Sequence, residues 1–512
     1  MSAMASSQRR SRAWLYTLAI ALLLGAWLTA AFTHLDFWAY EDDEGTFLVT
    51  ARALFDGHAL YRDVWLNYFS GLMTLVQLAF RVGGVSVVGP RIAMALLAAA
   101  TALLAADLAR RLAGRLAGVL TVLLLVLTPA LSQMGRSVMG EVPAAACGAL
   151  AAWSLLRHQR DARLGWVALA GLAAGLGVWF KYPTALLTAA LLLSLGASWR
   201  ARGEPARALL GRAALLVGMA LLPLAVDALA HDAVAQWSVV GGTHLENEAQ
   251  LELNIPRNLD KFREYLVLNN WGLPALALLG LPLLARRDGP AAWLLGGWVG
   301  LYVAGMLTNR PLGTHHMYLL LAPLSILAAL ALARGWALLA GLRRGAPSSA
   351  SAALLALVGA AALLWLLHVP GAVRQVVELY TGDAAENAER YHVSALVAAH
   401  TLPADYVVTD YAMIAFRAGR AVPPGLTNTS SMRFRTENLS DARVQTLSAA
   451  YNPAAVVFWE DKFTERAPDY VADIQARYIE LYRNDKGEGD GEVRLQAVYL
   501  RPDRAAAATA AP

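Results

Sequence analysis

Long apolar runs separated by short arginine-rich clusters fill the first 370 positions of this chain. The runs lie near 14–33, 91–109, 116–134, 138–156, 164–180, 182–199, 208–229, 266–285, 290–308, 317–340 and 350–369. At about 1.5 Å per helical residue, roughly 20 residues cross a hydrocarbon core of about 30 Å. The pattern therefore predicts a polytopic α-helical membrane protein with about eleven spans. The basic clusters are Arg9/Arg10/Arg12, Arg110/Arg111/Arg115, Arg157/Arg160/Arg163, Arg200/Arg202/Arg207/Arg212, Arg286/Arg287 and Arg343/Arg344. All can be cytoplasmic if pairs of spans separate them, which puts the N-terminus inside and the C-terminus outside. Thr29-Ala30-Ala31 resembles a signal-peptide cleavage site. The run before it is long enough to span, and we read it as an uncleaved first span.

Leu66–Val82 is also apolar. If it crosses, most of the basic clusters move outside, so we expect a helix lying in or dipping into the outer interface. Crossing, with a return through Gly83–Gly89, is the competing topology. Three outer segments then face one another: the loop 34–90, the polar loop 230–265, and the junction Asn309–His316. Short outer turns fall at Gly135–Glu141 and Lys181-Tyr182-Pro183. Past residue 370 the chain becomes charged. β-type runs at Tyr406–Asp410, Ala455–Trp459 and Val493–Leu500 alternate with helical patterns at Ala384–Ala399 and Asp469–Tyr482. This predicts a transmembrane unit over 1–370 and a small extracytoplasmic α/β domain over 371–512, with an Ala-rich tail after Arg504.

Composition agrees with membrane residence: 57% hydrophobic and 16% charged, where a soluble domain has about 25% charged residues. The net charge of +5 comes from basic clusters between apolar runs, which is not a nucleic-acid surface. The single cysteine, Cys147, rules out an intramolecular disulfide and a cysteine metal site. No dinucleotide-binding, Walker, zincin or nucleophile-elbow motif occurs. No strong internal repeat shows, which weakens a secondary-transporter reading.

The candidate chemistry gathers at the outer ends of the runs. Glu41-Asp42-Asp43-Glu44 follows the first run. A carboxylate there can accept a proton from a hydroxyl or amine; equally, the acids can be a solvated loop. Glu141 enters an apolar run close to Arg136. An acid in that position is costly and usually partnered. Lys181 stands where an apolar run breaks, and can hold a phosphate or merely snorkel to the interface. Arg310, His315 and His316 form another outer cluster, suited to a lipid-linked phosphate or simply to a polar loop. Asp107 and Asp227 read as structural.

Together these pieces resemble the GT-C class of membrane glycosyltransferases, related to protein O-mannosyltransferases and lipid A aminoarabinose transferases. The resemblance rests on Asp43-Glu44, on Gly57-His-Ala-Leu-Tyr61-Arg62-Asp63, on the RSVMGE segment, on Lys181-Tyr-Pro and on His316-Met-Tyr318. It also rests on AFRAGRAVPPGL followed by VVFW. It implies inverting transfer from a polyprenyl-phosphate sugar donor to a glycan, lipid or protein acceptor on the outer face of the cell membrane. In that reading Asp43 is the base, with Glu44 beside it and Glu141 in support. Tyr61, Arg62, Asp63, Arg136, Lys181, Arg310, His315 and His316 bind substrate. No cofactor is required, though a divalent metal is possible. The chain departs from the aminoarabinose branch at WLNYFSG, where that branch is Pro-rich, and Asp42 rivals Asp43 as base. A lipid or solute transporter would instead place polar residues mid-span. A non-catalytic envelope assembly protein would tolerate Asp43→Ala.

Overall fold

The structure, a computed structural model, describes residues 2–38, 43–250, 253, 255–264, 272–308, 312–342, 347–381, 387–484 and 495–510. The helices are α1 (Ser2–Thr33), α2 (Asp43–Phe55), α3 (Gly71–Gly83), α4 (Val88–Ala113), α5 (Arg115–Val126), α6 (Pro129–Met134), α7 (Glu141–Asp161), α8 (Leu164–Phe180), α9 (Ala185–Arg202) and α10 (Ala206–Ala230). Three short helices, α11 (Ala233–Trp237), α12 (Thr243–Gln250) and α13 (Ile255–Phe262), lie in the polar segment after α10. Then come α14 (Gly272–Ala285), α15 (Gly289–Leu307), α16 (Tyr318–Gly341) and α17 (Ser349–Thr381).

Seven helical stretches among the described residues are long and apolar enough to cross a membrane: Trp14–Thr33, Val88–Ala113, Tyr182–Arg202, Ala206–Ala230, Gly289–Leu307, Thr314–Gly341 and Ser349–Glu378. The remaining expected spans fall on shorter or less apolar helices. The run at 116–134 is divided: α5 ends at Val126 and α6 starts at Pro129. Proline has no N–H to give an unbroken helix, and it fits at a helix start. Leu66–Val82 yields only the 13-residue α3, about 20 Å long and too short to span.

Helix α16 is the centre of the bundle. Every side chain from Tyr318 to Ala331 is buried. By contrast α10 and α17 expose Leu221, Val226, Leu229, Leu363 and Leu367, apolar surface that lipid would cover.

Residues 407–500 contain a four-stranded mixed sheet in the order β1-β2-β4-β3. The strands are β1 (Val407–Thr409), β2 (Ala455–Phe458), β3 (Ile479–Asn484) and β4 (Gln496–Leu500). β1 and β2 are parallel; β4 pairs antiparallel with β2 and β3. The helix read at 469–482 is shorter than expected. It covers Pro468–Arg477, and the rest of the segment forms β3. Ile, Tyr and Leu in Ile479–Tyr482 suit an edge strand, and pairing with β4 overrides the helical pattern.

This part grips the first loop. Trp38 Nε1 donates to the Tyr411 hydroxyl at 2.9 Å, and Arg417 pairs with Asp36 at 2.5 Å. A Cβ on Gly45 would meet the Met413 backbone N at 2.5 Å. Only glycine lets α2 approach the helix Ala412–Arg417 this closely.

Asp410, just past β1, is buried. It accepts hydrogen bonds from the backbone N–H groups of Trp459 (2.8 Å) and Glu460 (3.1 Å). Burial, with Glu460 nearby, pushes the Asp410 carboxyl up to about 7. The unfolded value is about 3.9. The folded chain therefore keeps a proton that the unfolded chain releases, and the resulting stability is present at low pH and lost as pH rises through 7. Asn can accept both backbone bonds without a charge to bury. Asp410→Asn should raise the melting temperature at pH 8, with a gain that shrinks toward pH 5. Equal gains at both pH values would contradict this assignment.

Candidate active site

Asp43 and Glu44 sit side by side at the start of α2 and do different things. Glu44 is fully buried. Arg91 of α4 grips it in a fork, Nε to Oε1 at 2.8 Å and Nη2 to Oε2 at 2.6 Å. The Val138 N–H donates to the same carboxylate at 2.9 Å. Arg91 also donates to the carbonyls of Leu35 (2.9 Å), Phe37 (2.6 Å) and Trp38 (3.0 Å). The pair thus clamps the chain on both sides of the acidic run to α4. Successive helical residues point about 100° apart, and Asp43 is exposed where Glu44 is buried. Asp42 lies outside the described residues.

Asp43 lines a cavity of about 430 Å³. Other walls come from Tyr68, Tyr182, His244, His315 and His316, and from Asn428, Ser430, Ser431, Met432 and Arg435 of the C-terminal part. The His244 imidazole donates to the Asn67 carbonyl at 3.0 Å. Burial holds that ring below its usual range, with Lys181 adding to the shift against the Asn67 bond. Asn67 in turn donates to the Met432 sulfur at 3.2 Å. Behind that wall, Arg433 is buried over the Trp65 ring at 5.2 Å and donates to the Gly425 (2.6 Å) and Asn428 (2.9 Å) carbonyls. Burial lowers its pKa to about 9.

Glu141 and Lys181 form a second buried pair beside this cavity, 2.8 Å apart. The approach is tight, because a Cβ on Gly140 would meet the Phe180 carbonyl at 2.6 Å. The Lys181 ammonium also lies 4.6 Å from the centre of the Tyr68 ring. His315 Nε2 is 3.7 Å from Glu141 Oε1. Glu141, His315 and His316 offer ligand atoms within 4.8 Å of one another, a possible cation site among the described residues. The ammonium of Lys181 already supplies positive charge to Glu141.

The other predicted site residues lie elsewhere. Tyr61, Arg62 and Asp63 form a turn and are not among the walls of the Asp43 cavity. Tyr61 takes a left-handed φ of 64°, and its hydroxyl donates to the Tyr68 carbonyl at 2.9 Å. Asp63 accepts from the Ala59 N–H at 2.8 Å, and the hydrogen bond from Arg62 holds its carboxyl at about 2. Arg136 is buried against the Phe37 ring at 4.5 Å and donates to the Ser132 carbonyl at 3.0 Å. Arg310 lies outside the described residues. Asp107 and Asp227, read as structural, are each held by neighbouring side chains. Asp107 pairs with Arg110 and Arg111, and Asp227 accepts from Ser70 and Gln236. Arg91, His244 and Arg435 were not singled out in the sequence. Arg91 could have been, as the one charge opening an otherwise apolar run.

The fold, a helical bundle with a C-terminal sheet region, is similar to that of the solved ArnT and AglB structures. Within the chain, residues 72–225 match the family described as dolichyl-phosphate-mannose-protein mannosyltransferase. The structure of ArnT from Cupriavidus metallidurans bound to undecaprenyl phosphate superposes with a TM-score of 0.62 at 15% identity, covering 94% of this chain and 97% of that one. The oligosaccharyltransferase AglB from Archaeoglobus fulgidus, in complex with an inhibitory peptide and a dolichol-phosphate, gives 0.50 at 14% identity, covering 96% and 76%. No curated protein sequence matches the chain. The chain is a multi-pass membrane protein by its apolar helices.

Proposed function

We propose that this protein transfers a sugar from a polyprenyl-phosphate-linked donor to a glycan, lipid or protein acceptor at the outer face of the cell membrane. The observation that carries this reading is the Asp43 cavity. It brings a solvent-reachable carboxylate together with three imidazoles and the Arg435 guanidinium at the end of an apolar bundle. The solved relatives bound to undecaprenyl phosphate and dolichol-phosphate support the donor class.

In this mechanism Asp43 accepts the proton of an acceptor hydroxyl or amine. The freed lone pair attacks the anomeric carbon from the side opposite the phosphate. The bond from that carbon to the phosphate oxygen breaks, its electrons stay on the leaving lipid phosphate, and the sugar is inverted. His315, His316 and Arg435 offset the departing charge. Lys181 stays paired with Glu141 and positions it instead of gripping phosphate directly. Glu44 positions the loop through Arg91. About eleven spans, an inside N-terminus and an outside α/β domain over 371–512 complete the proposed topology and would make the cavity extracytoplasmic.

The test is purified protein with a panel of polyprenyl-phosphate sugars, read as release of free polyprenyl phosphate with a glycosylated product. Turnover with one sugar is expected; none across pentoses, hexoses and amino sugars, with a panel of acceptors, would refute the reading. We also propose that no metal is needed, because Lys181 supplies the charge beside Glu141. EDTA should leave that turnover unchanged; loss restored by a divalent ion would assign the Glu141–His315–His316 cluster to metal.

A further inference from the structure

A second cavity, of about 460 Å³, lies among the ends of α4, α14, α16 and α17. Its polar wall is Arg286, Arg287 and Arg334, with Ser351; its apolar wall includes Leu283 and Leu354. It faces the other way from the Asp43 cavity. Arg91, which clamps the loop carrying Asp43, and Leu112, which lines this second cavity, are at opposite ends of α4. Their separation of 21 residues is about 30 Å of helix, the thickness of a bilayer core. Along α16 the two cavities are likewise held apart, with His316 just before its start and Ala333 and Arg334 toward its end.

The three arginine side chains are exposed and unbalanced. Among the described residues, none of the three has a carboxylate within ion-pair distance. Asp288, the acid beside them, caps α15 by accepting from the Ala291 N–H at 3.1 Å. The N-terminus of α17 also opens here, since Ala350 and Ser351 line the cavity. Its dipole favours an anion. Trp336, 62% exposed, follows Arg334 on the same helix. An exposed tryptophan beside arginines at the end of an apolar helix is what a membrane–water interface favours. Beyond this level α17 presents exposed Leu357, Leu363 and Leu364 to the bilayer.

From this we infer that the cavity holds the phosphate headgroup of an anionic diacyl phospholipid of the leaflet opposite the Asp43 cavity. The three guanidinium groups and the α17 N-terminus take the phosphate, and the acyl chains lie along the exposed leucines. A soluble anion would use the charges but not the apolar wall. A zwitterionic lipid would bring an ammonium against the arginines. Bound there, the lipid bridges the end of α14 to α16 and α17, through Arg286 just past α14, Arg334 and Ser351. The inference rests on membrane placement and does not depend on the proposed reaction.

The test is native mass spectrometry of the delipidated full chain with equimolar phosphatidylglycerol and phosphatidylcholine. Each arginine near an anionic surface favours the anionic lipid by about fivefold. Wild type should therefore retain phosphatidylglycerol in clear excess, and Arg286→Gln/Arg287→Gln/Arg334→Gln should retain the two lipids equally. A thermal melt of the variant in phosphatidylcholine, unchanged from wild type, shows that it folds. Equal retention by wild type, or an undiminished preference in the variant, would overturn the inference. So would competition by millimolar inorganic phosphate as effective as by the lipid, since that would mark an anion site without a lipid.

Discussion

Asp43→Asn will nearly abolish sugar transfer and leave the protein folded. Asn keeps the shape and hydrogen-bonding capacity of the side chain but cannot take a proton at neutral pH. General-base assistance is typically worth about 10²–10⁴ in rate, so kcat should fall by that order while donor affinity holds. Because Asp43 is exposed at the start of α2, its replacement removes no buried partner, and the melting temperature should stay within a degree or two of wild type. Single-turnover transfer in nanodiscs, beside a thermal melt, separates the two effects. Near wild-type turnover in Asp43→Asn, with turnover lost in Asp42→Asn, would shift the base by one residue.

Arg91→Ala will have the largest effect on stability. It leaves the buried carboxylate of Glu44 without its cation, and the carbonyls of Leu35, Phe37 and Trp38 without their donor. Breaking a buried pair on one side costs about 3–5 kcal/mol, a large part of the stability of an ordinary protein. Glu44→Gln should cost less, since an amide can still accept from the Val138 N–H. Replacing both, as Arg91→Met with Glu44→Leu, removes the uncompensated charge and should recover part of the loss. Thermal melts of the three variants check the order. If Arg91→Ala melts like wild type, the clamp is not what holds the loop. The same variant should lose transfer together with stability, unlike Asp43→Asn.

Much of the fold is legible because membrane burial writes itself into the chain as apolar runs, and charges confined to their ends stand out. The strands at Val407–Thr409, Ala455–Phe458 and Gln496–Leu500 fall within β-type runs for a similar reason, since all three are buried throughout. The site was only half legible. Asp43 and Glu44 look alike in sequence, yet one helical step sends one to the cavity and the other to Arg91. Glu141 and Lys181 read as two separate candidates because nothing in a sequence shows that residues 40 apart neutralise each other. Tyr61-Arg62-Asp63 belongs to the pattern that carries the resemblance, but its geometry is that of a turn held by Ala59 and Tyr68. Arg435 was invisible because it enters the cavity from the opposite end of the chain.

The central claim is that the Asp43 cavity receives the phosphate of a polyprenyl donor. The measurement that tests it most directly is a cryo-electron microscopy map of the full chain in nanodiscs with a long-chain polyprenyl phosphate. The account predicts phosphate density inside the cavity, within reach of His315, His316 and Arg435 and with room for an acceptor beside Asp43. Phosphate density only beside Arg286, Arg287 and Arg334, about 30 Å away along α4, with the Asp43 cavity unchanged, would contradict it.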